Sequence, residues 1–174
     1  MFSAQRSLTI ETPRLRLRPF VAGDLEELVR VNADPQVARF LNYGKPMTRA
    51  ESWRQIALFI GHRELRGYTV LAIEDRATGA LLGRSGPWYP EGWPMLEVGW
   101  VVDSSRRGEG IAGEAGRASI DWCYANLRVD RVCSIIRPDN LASARVAEKL
   151  GARIERQLED FFGGVANLWV HERK

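Results

Sequence analysis

A cluster of glycines and arginines past the middle of the chain has the composition of an anion-binding site. Two arginines precede three glycines, and the glycines begin a helical pattern of small and apolar residues. These residues are Arg106, Arg107, Gly108, Gly110 and Gly113. The N-terminus of a helix has unpaired backbone N–H groups and a partial positive charge, and glycine lets a ligand approach those groups closely. A phosphate or pyrophosphate is the group that such a site binds.

The order of residues in this segment disfavours two other phosphate-binding motifs. A P-loop has lysine and then serine or threonine after its second glycine, whereas Ile111 and Ala112 follow Gly110. The string from Gly108 to Gly113 fits G-x-G-x-x-G, but it lies past mid-chain and follows two arginines rather than a strand. An NTPase and a nucleotide-dependent regulator are therefore poor interpretations. The simplest structural alternative is a glycine-rich turn that closes a corner between a strand and a helix.

Glu97 is the best candidate for a general base. It is the only acidic residue in the apolar segment 96–102, which precedes the arginines. Burial in a strand would raise the pKa of its carboxyl group toward neutrality, where a base is most useful. The alternative is an ion pair between Glu97 and Arg84 on the neighbouring strand. Glu159 and Asp160 are weaker candidates for the same catalytic role.

Hydrophobic periodicity predicts a mixed α/β domain that spans residues 1–174. Seven strands are predicted, at 14–19, 68–74, 81–85, 96–102, 132–136, 153–159 and 166–171. Five helices are predicted, and they begin after Asp24, Asp34, Thr48, Gly110 and Asn140. Thr48 and Glu51 have the spacing of a capping box. Trp53 belongs to the apolar stripe of the helix that follows, so we expect it to pack in the core.

The segment 86–94 is predicted to be an irregular loop. It contains three prolines and two glycines, together with Trp88, Tyr89 and Trp93. Large aromatic side chains are unfavourable in water, so they either pack over the sheet or line a binding surface or a dimer contact. Both interpretations stay open, and the loop is the reason to consider a homodimer.

The composition is that of a globular protein with a small excess of positive charge. The net charge of +3 comes from scattered arginines, which does not indicate nucleic-acid binding, because a polyanionic cofactor accounts for some of them. No apolar run approaches the length of a membrane span, and the first ten residues lack the features of a signal peptide. Cys123 and Cys133 have no metal-binding or redox spacing. We expect a cytoplasmic protein with core thiols and no metal.

Three motifs, at 12–18, 107–112 and 140–151, resemble those of one family and occur in the same order along the chain. The string Arg107-Gly108-Glu109-Gly110-Ile111-Ala112 resembles the acetyl-CoA signature R/Q-x-x-G-x-G/A of the GNAT superfamily of N-acetyltransferases. The string Thr12-Pro13-Arg14-Leu15-Arg16-Leu17-Arg18, followed by Asp24, resembles the opening of its RimJ/RimL-like branch, named after ribosomal-protein N-terminal acetyltransferases. The strings Asn140-Leu141-Ala142-Ser143 and Glu148-Lys149-Leu150-Gly151 resemble that branch's second half-motif.

The resemblance implies a fold and a cofactor site. The fold has a central, mostly antiparallel sheet that splays between the fourth and fifth predicted strands, with helices on both faces. Acetyl-CoA would bind at the splay, its pyrophosphate on backbone N–H groups of the glycine-rich turn and its pantetheine arm along the fourth strand. A backbone N–H of that strand would face the thioester oxygen. The implied cofactor-binding residues are Trp100, Val101, Val102, Arg107, Gly108, Glu109, Gly110, Ile111, Ala112, Gly113, Asn140 and Ser143.

The resemblance is less complete for the group that protonates the departing thiolate. Many GNAT members have a tyrosine where this chain has Ala147. Ser143 matches the serine that the RimJ/RimL-like branch carries, so the resemblance implies a proton donor there. Its alternative role is to cap the helix that follows Asn140. A thiolate can also leave unassisted, because thiols are more acidic than alcohols.

We therefore expect transfer of an acetyl group from acetyl-CoA to a primary amine in a ternary complex, with Glu97 and Ser143 as the catalytic residues. The acceptor stays open between a protein N-terminus, an amino acid, a polyamine and an amine-bearing antibiotic. No membrane or nucleic-acid partner is expected. The alternative function is a non-catalytic acyl-CoA-binding or regulatory module, which the missing tyrosine and the tryptophan-rich loop favour.

Overall fold

A computed structural model describes residues 8–41 and 44–173 of the chain. Its strands are β1 (Ile10–Glu11), β2 (Leu15–Arg18), β3 (Leu71–Asp75), β4 (Leu81–Trp88), β5 (Glu97–Val102), β6 (Arg131–Ile136), β7 (Arg153–Leu158) and β8 (Ala166–Glu172). Its helices are α1 (Leu25–Ala33), α2 (Pro35–Ala38), α3 (Arg49–Arg66), α4 (Ile111–Asn126) and α5 (Leu141–Lys149). The strands form one sheet in the order β1-β2-β3-β4-β5-β6-β8-β7.

The sheet is mixed, as predicted, and its only parallel neighbours among the described strands are β5 and β6. These two are the fourth and fifth predicted strands, because β1 is an additional short strand. They share one register pair, Glu97 with Cys133. By contrast, β5 pairs with β4 along its whole length, from Glu97 opposite Trp88 to Val102 opposite Gly83. The predicted splay is confirmed, and Glu97 stands where it begins.

Helices cover both faces of the sheet, and each face has its own apolar core. On one face, Leu28 of α1 and Ile56 and Phe59 of α3 pack against Ala72 and Leu81 of the sheet. On the other face, α4 packs against the inner strands through a set of buried residues that comprises Ile111, Ala115, Ile120 and Cys123. Burying these side chains removes apolar surface from water, which is the main force that holds the helices on the sheet.

Strand β4 is longer than the sequence predicted. It continues through Gly86 and Pro87 to Trp88, where the prolines and glycines indicated a loop. Proline has no N–H to donate, and a sheet tolerates it where a neighbouring strand is absent. Strand β3 pairs with β4 only as far as Ser85, so one side of β4 has no strand partner at Pro87. On its other side, Pro87 lies opposite Val98 of β5.

Helix α3 begins as predicted, but one of its aromatic side chains does not lie where we expected. Thr48 and Glu51 form the capping box: the Thr48 N–H donates to Glu51 Oε2 at 2.7 Å and the Glu51 N–H to Thr48 Oγ1 at 3.2 Å. The prediction for Trp53 is wrong, because the residue is 59% exposed. Ile56 and Phe59 carry the buried stripe instead, which turns Trp53 toward solvent.

Within residues 8–41 and 44–173, no helix combines the length and apolarity that crossing a membrane requires.

Candidate active site

The parting of β5 and β6 leaves one edge of β5 open. At the point where they part, the Cys133 N–H donates to the Leu96 carbonyl at 2.8 Å. Beyond Glu97, the segment 99–102 has no register partner on β6. Strand edges with unpaired N–H and C=O groups bind extended ligands through backbone hydrogen bonds. Trp100, Val101 and Val102, the residues predicted to face the pantetheine arm, lie on this segment and are half-buried.

The glycine-rich turn after β5 has the backbone geometry of an anion cradle. Gly108 and Gly110 adopt φ values of +84° and +80°, a left-handed conformation that favours glycine. Gly110 is the N-cap of α4 and provides no side-chain hydrogen bond, so no side chain of its own covers the first N–H groups of the helix. A Cβ atom added at Gly108 or Gly113 would meet no heavy atom within 4 Å. At Gly110 the nearest atom to such a Cβ is Arg14 Nη2 at 3.5 Å, so the turn is bordered by a guanidinium and is otherwise uncrowded at these glycines.

Charged side chains beside the cradle divide into paired and unpaired. Arg106 binds both carboxylate oxygens of Glu109 at 2.8 Å, which neutralises both residues. Arg107 is exposed and forms no ion pair within the described residues. Its guanidinium donates instead to the Gln36 side-chain oxygen at 3.1 Å and to the Gln36 carbonyl at 2.9 Å. Arg107 therefore brings an unneutralised positive charge to the cradle and connects it to α2.

Two residues of the segment before β2, Thr12 and Arg14, hold the start of α4. The sequence had indicated no contact between these segments. Thr12 Oγ1 donates to Glu114 Oε1 at 2.6 Å, and Arg14 Nε donates to Glu114 Oε2 at 2.7 Å. Arg14 also donates to the Glu109 carbonyl at 2.9 Å. Glu114 lies in the first turn of α4, where a negative charge stabilises the helix. The segment before β2 thus fixes the turn that presents the open N–H groups.

Glu97 lies at the origin of the splay, and its carboxylate accepts hydrogen bonds from the Trp93 indole and from the Ile135 backbone N–H on β6. Trp93 Nε1 donates to Glu97 Oε2 at 2.6 Å. Burial raises the pKa of Glu97 from 4.5 to about 7, and hydrogen bonds from the Trp93 indole and the Ile135 backbone N–H limit the rise in pKa. The side chain is half-buried. A carboxyl group with a pKa near 7 exchanges protons readily at neutral pH.

The alternative ion pair between Glu97 and Arg84 does not form. In the β4–β5 ladder Glu97 lies opposite Trp88, whereas Arg84 lies opposite Val101. Arg84 is buried and donates to Asn32 Oδ1 at 2.9 Å. Burial lowers the pKa of Arg84 to about 10, because no carboxylate compensates the desolvation of its charge.

The aromatic residues of segment 86–94 pack against other aromatic side chains, and one of them, Trp93, contacts the Glu97 carboxylate. Trp88 stacks on His62 with ring centroids 4.4 Å apart. Trp93 lies 5.2 Å from Phe161 and 5.5 Å from Phe162, centroid to centroid. These two phenylalanines belong to the loop between β7 and β8, which sequence reasoning did not connect with the site. The abundance of aromatic residues in both loops was the available signal.

Ser143 and Asn140 lie together at the start of α5. Asn140 is the N-cap, and its side-chain oxygen accepts the Ser143 backbone N–H at 3.2 Å. The capping role therefore belongs to Asn140, while the half-buried Ser143 hydroxyl makes no hydrogen bond within the part of the chain that the structure describes. Ala147, at the position of the common tyrosine, is buried against Ile136 and Trp169. Glu159 and Asp160 are exposed at the start of the β7–β8 loop.

A splayed mixed sheet with a glycine-rich helix start beside it is the arrangement that the sequence resemblance implied. The family model described as an acetyltransferase (GNAT) domain matches residues 14–153. The chain belongs to this family. YkkB of Bacillus subtilis (strain 168), an uncharacterized protein, is 30% identical over 168 residues that cover 94% of each chain. YjdG of the same strain, an uncharacterized N-acetyltransferase, is 34% identical over 95% of this chain and 98% of its own.

Solved GNAT structures share the fold. An acetyltransferase from Agrobacterium tumefaciens strain C58 has a TM-score of 0.84 at 25% identity, with 99% of this chain and 97% of that chain covered. RimL, a ribosomal L7/L12 α-N-protein acetyltransferase in complex with coenzyme A, has a TM-score of 0.78 at 19% identity, covering 95% of this chain and 98% of its own. The prediction of a GNAT acetyltransferase is confirmed. The roles of individual residues and the identity of the acceptor stay predictions.

Proposed function

We propose that this GNAT enzyme transfers the acetyl group of acetyl-CoA to a primary amine, of a small molecule or a protein N-terminus, and that Glu97 is its base. The observation that carries the proposal is the position of Glu97. Its carboxylate lies where β5 and β6 part, it is fixed by the Trp93 indole at 2.6 Å, and burial raises its pKa to about 7.

The residues around the splay fit the cosubstrate, which supplies an activated acyl thioester. The open N–H groups at the start of α4 and the unneutralised Arg107 suit its phosphates. The open edge of β5 at Trp100, Val101 and Val102 suits the amides of the pantetheine arm. Asn140 uses its side-chain oxygen to cap α5, which leaves its amide N–H groups available to the ligand.

Glu97 removes the proton that the amine loses as its nitrogen attacks the acyl carbon. Proton transfer of this kind contributes about 10²–10⁴-fold to a rate. The Trp93 N–H fixes the carboxylate, and an N–H on the open edge of β5 stabilises the negative charge that develops on the acyl oxygen. The Ser143 hydroxyl, uncommitted in the structure, provides a proton for the departing thiolate. The products are an amide and the free thiol of coenzyme A.

The test is acetyl-CoA binding by titration calorimetry, followed by thiol release with a panel of amines and N-terminal peptides. We expect binding, amine-dependent thiol release, and loss of release in Glu97→Gln with binding retained. Glu91→Gln is the matched control, since its side chain is 99% exposed in the same loop as Trp93. Binding without release for any amine would favour a non-catalytic module, and failure to bind acetyl-CoA would overturn the proposal. Ser143→Ala tests the proton donor in the same assay.

A further inference from the structure

A cavity of about 280 Å³ opens beside Phe162, whose ring packs against Trp93. It lies between the end of α2, the turn before α5 and the β7–β8 loop. The described residues that line it are Arg39, Phe40, Gly44, Arg137, Asp139, Phe162 and Gly163. Phe162 lines the cavity and also packs against Trp93 at 5.5 Å, and Trp93 holds the Glu97 carboxylate. The side chains of Phe162 and Trp93 thus connect the cavity to the Glu97 carboxylate.

The charge of this cavity is positive. Arg137 donates to the carbonyls of Phe162 at 2.9 Å and Val165 at 3.3 Å, and it has no ion pair within residues 8–41 and 44–173. Carbonyl groups satisfy its N–H groups but leave its charge unneutralised. Arg39 is 69% exposed, and its nearest acidic partner is Asp139 at 3.9 Å. Two guanidinium groups therefore face one carboxylate, and a planar guanidinium binds carboxylate and phosphate groups through paired hydrogen bonds.

The backbone of the β7–β8 loop holds Arg137 at the cavity. Phe162 adopts a φ of +51°, an unfavourable conformation for a residue other than glycine, which persists only where surrounding contacts enforce it. A Cβ atom added at Gly164 would lie 2.0 Å from Arg137 Nη1. The loop therefore packs directly against the guanidinium and fixes its position and that of the Phe162 ring together.

We propose that the acceptor is a small amine that also carries an anionic group, either a carboxylate or a phosphate. The inference rests on the proposed function and deepens it. The anionic group binds Arg137 and Arg39, an apolar portion lies on Phe162 and Trp93, and the amine reaches Glu97. Polyamines and aminoglycosides are disfavoured because the cavity repels additional positive charge.

The test compares acceptors that differ only in the anionic group. The acceptors have an apolar spacer long enough to cross Phe162 and Trp93: 6-aminohexanoate is compared with 6-aminohexanamide and hexylamine, 6-aminohexyl phosphate with 6-aminohexanol, and spermidine serves as the polycation. We expect kcat/KM of the better anionic acceptor to exceed that of its uncharged counterpart by at least about tenfold, the size of one charge-assisted hydrogen bond. Equal or better turnover of the amides, spermidine or N-terminal peptides would overturn the inference while leaving the acetyltransferase intact. Failure to turn over any amine would refute the proposed function itself.

A charge reversal tests whether the arginines act on the acceptor. Arg39→Glu changes an exposed side chain, and we expect it to reduce the preference for the anionic acceptor by at least about tenfold. Arg153→Glu is the matched control, because Arg153 is exposed at the far end of β7; the preference should not change. A raised KM for acetyl-CoA with an unchanged acceptor preference would assign the cavity to the phosphates of the cosubstrate and overturn the inference.

Discussion

Replacing Glu97 with glutamine tests both the chemistry and the electrostatics of the site. Glutamine cannot ionise, and its single oxygen replaces the two carboxylate oxygens available to the Trp93 and Ile135 N–H groups. Wild-type Glu97 has a pKa near 4.5 when unfolded and about 7 when folded. The folded protein therefore binds the additional proton between these pH values, and ionising the carboxyl group costs about 3 kcal/mol of folding free energy.

The sign of the effect on stability follows from this raised pKa. The stabilisation from protonated Glu97 is fully present below pH 4.5 and is lost as the pH rises through about 7. Glutamine does not titrate, so the Glu97→Gln variant should gain up to about 3 kcal/mol relative to wild type between pH 5 and pH 8. Because other titrating groups are common to both proteins, the difference between their unfolding free energies isolates Glu97.

Two assays measure the outcome. Urea unfolding at several pH values gives the free energy difference, and Glu91→Gln should show no such trend. The pH profile of kcat/KM for wild type should be half-maximal near pH 7 and reach a plateau above about pH 8. The variant should lose about 10²–10⁴-fold in rate together with that ionisation. A free energy difference that is the same at pH 5 and pH 8 would refute the assignment of a raised pKa.

Three further predictions concern stability. His171 is buried, and its pKa is lowered from 6.5 to about 4, first by burial and then by the charge of Arg117. The unfolding free energy of wild type should therefore fall by up to about 3 kcal/mol between pH 6.5 and pH 4. Urea unfolding at these pH values should show a smaller fall in His171→Gln. Gly83→Ala should fail to fold or lose more than about 3 kcal/mol, measured by thermal melting, since a Cβ atom there would lie 2.0 Å from the Val101 carbonyl oxygen. Asn32→Ala should cost roughly 1.5–3 kcal/mol in the same assay, because it removes an uncharged partner from a buried guanidinium; an unchanged melting temperature in either variant would contradict these contacts.

The sequence was informative where a local pattern has a single structural meaning. The apolar run with one carboxylate predicted β5, and the arginines and glycines followed by small residues predicted the cradle before α4. The capping box at Thr48 was equally direct, because both of its hydrogen bonds are formed between residues three positions apart. These features depend on neighbours in the chain, so the sequence contains their cause.

The remaining features depend on contacts between distant segments. Pro87 lies within a strand because β3 stops pairing with β4 before it, which no local pattern reveals. Trp53 is exposed because the stripe of α3 that meets the sheet is centred on other residues. The Glu97 carboxylate binds an indole four residues away rather than Arg84, since strand register places Arg84 opposite Val101. The contribution of Phe162 comes from a loop more than sixty residues further along the chain.

The single register pair between β5 and β6 has a consequence for how the protein opens. Backbone pairing between the strands up to β5 and the strands from β6 onward is confined to this pair. Two side-chain bonds support it, from Ser134 Oγ to the Val98 carbonyl at 2.7 Å and from the Ile135 N–H to Glu97. Amide hydrogen exchange should report β6, β7 and β8 as a separable cooperative unit. A ligand that binds along the free edge of β5 would form the backbone hydrogen bonds that β6 does not form there. At a ligand concentration of 100 times Kd, binding would add about 2.7 kcal/mol to the free energy of unfolding. Loading with the cosubstrate would then tie the two parts of the sheet into one cooperative unit.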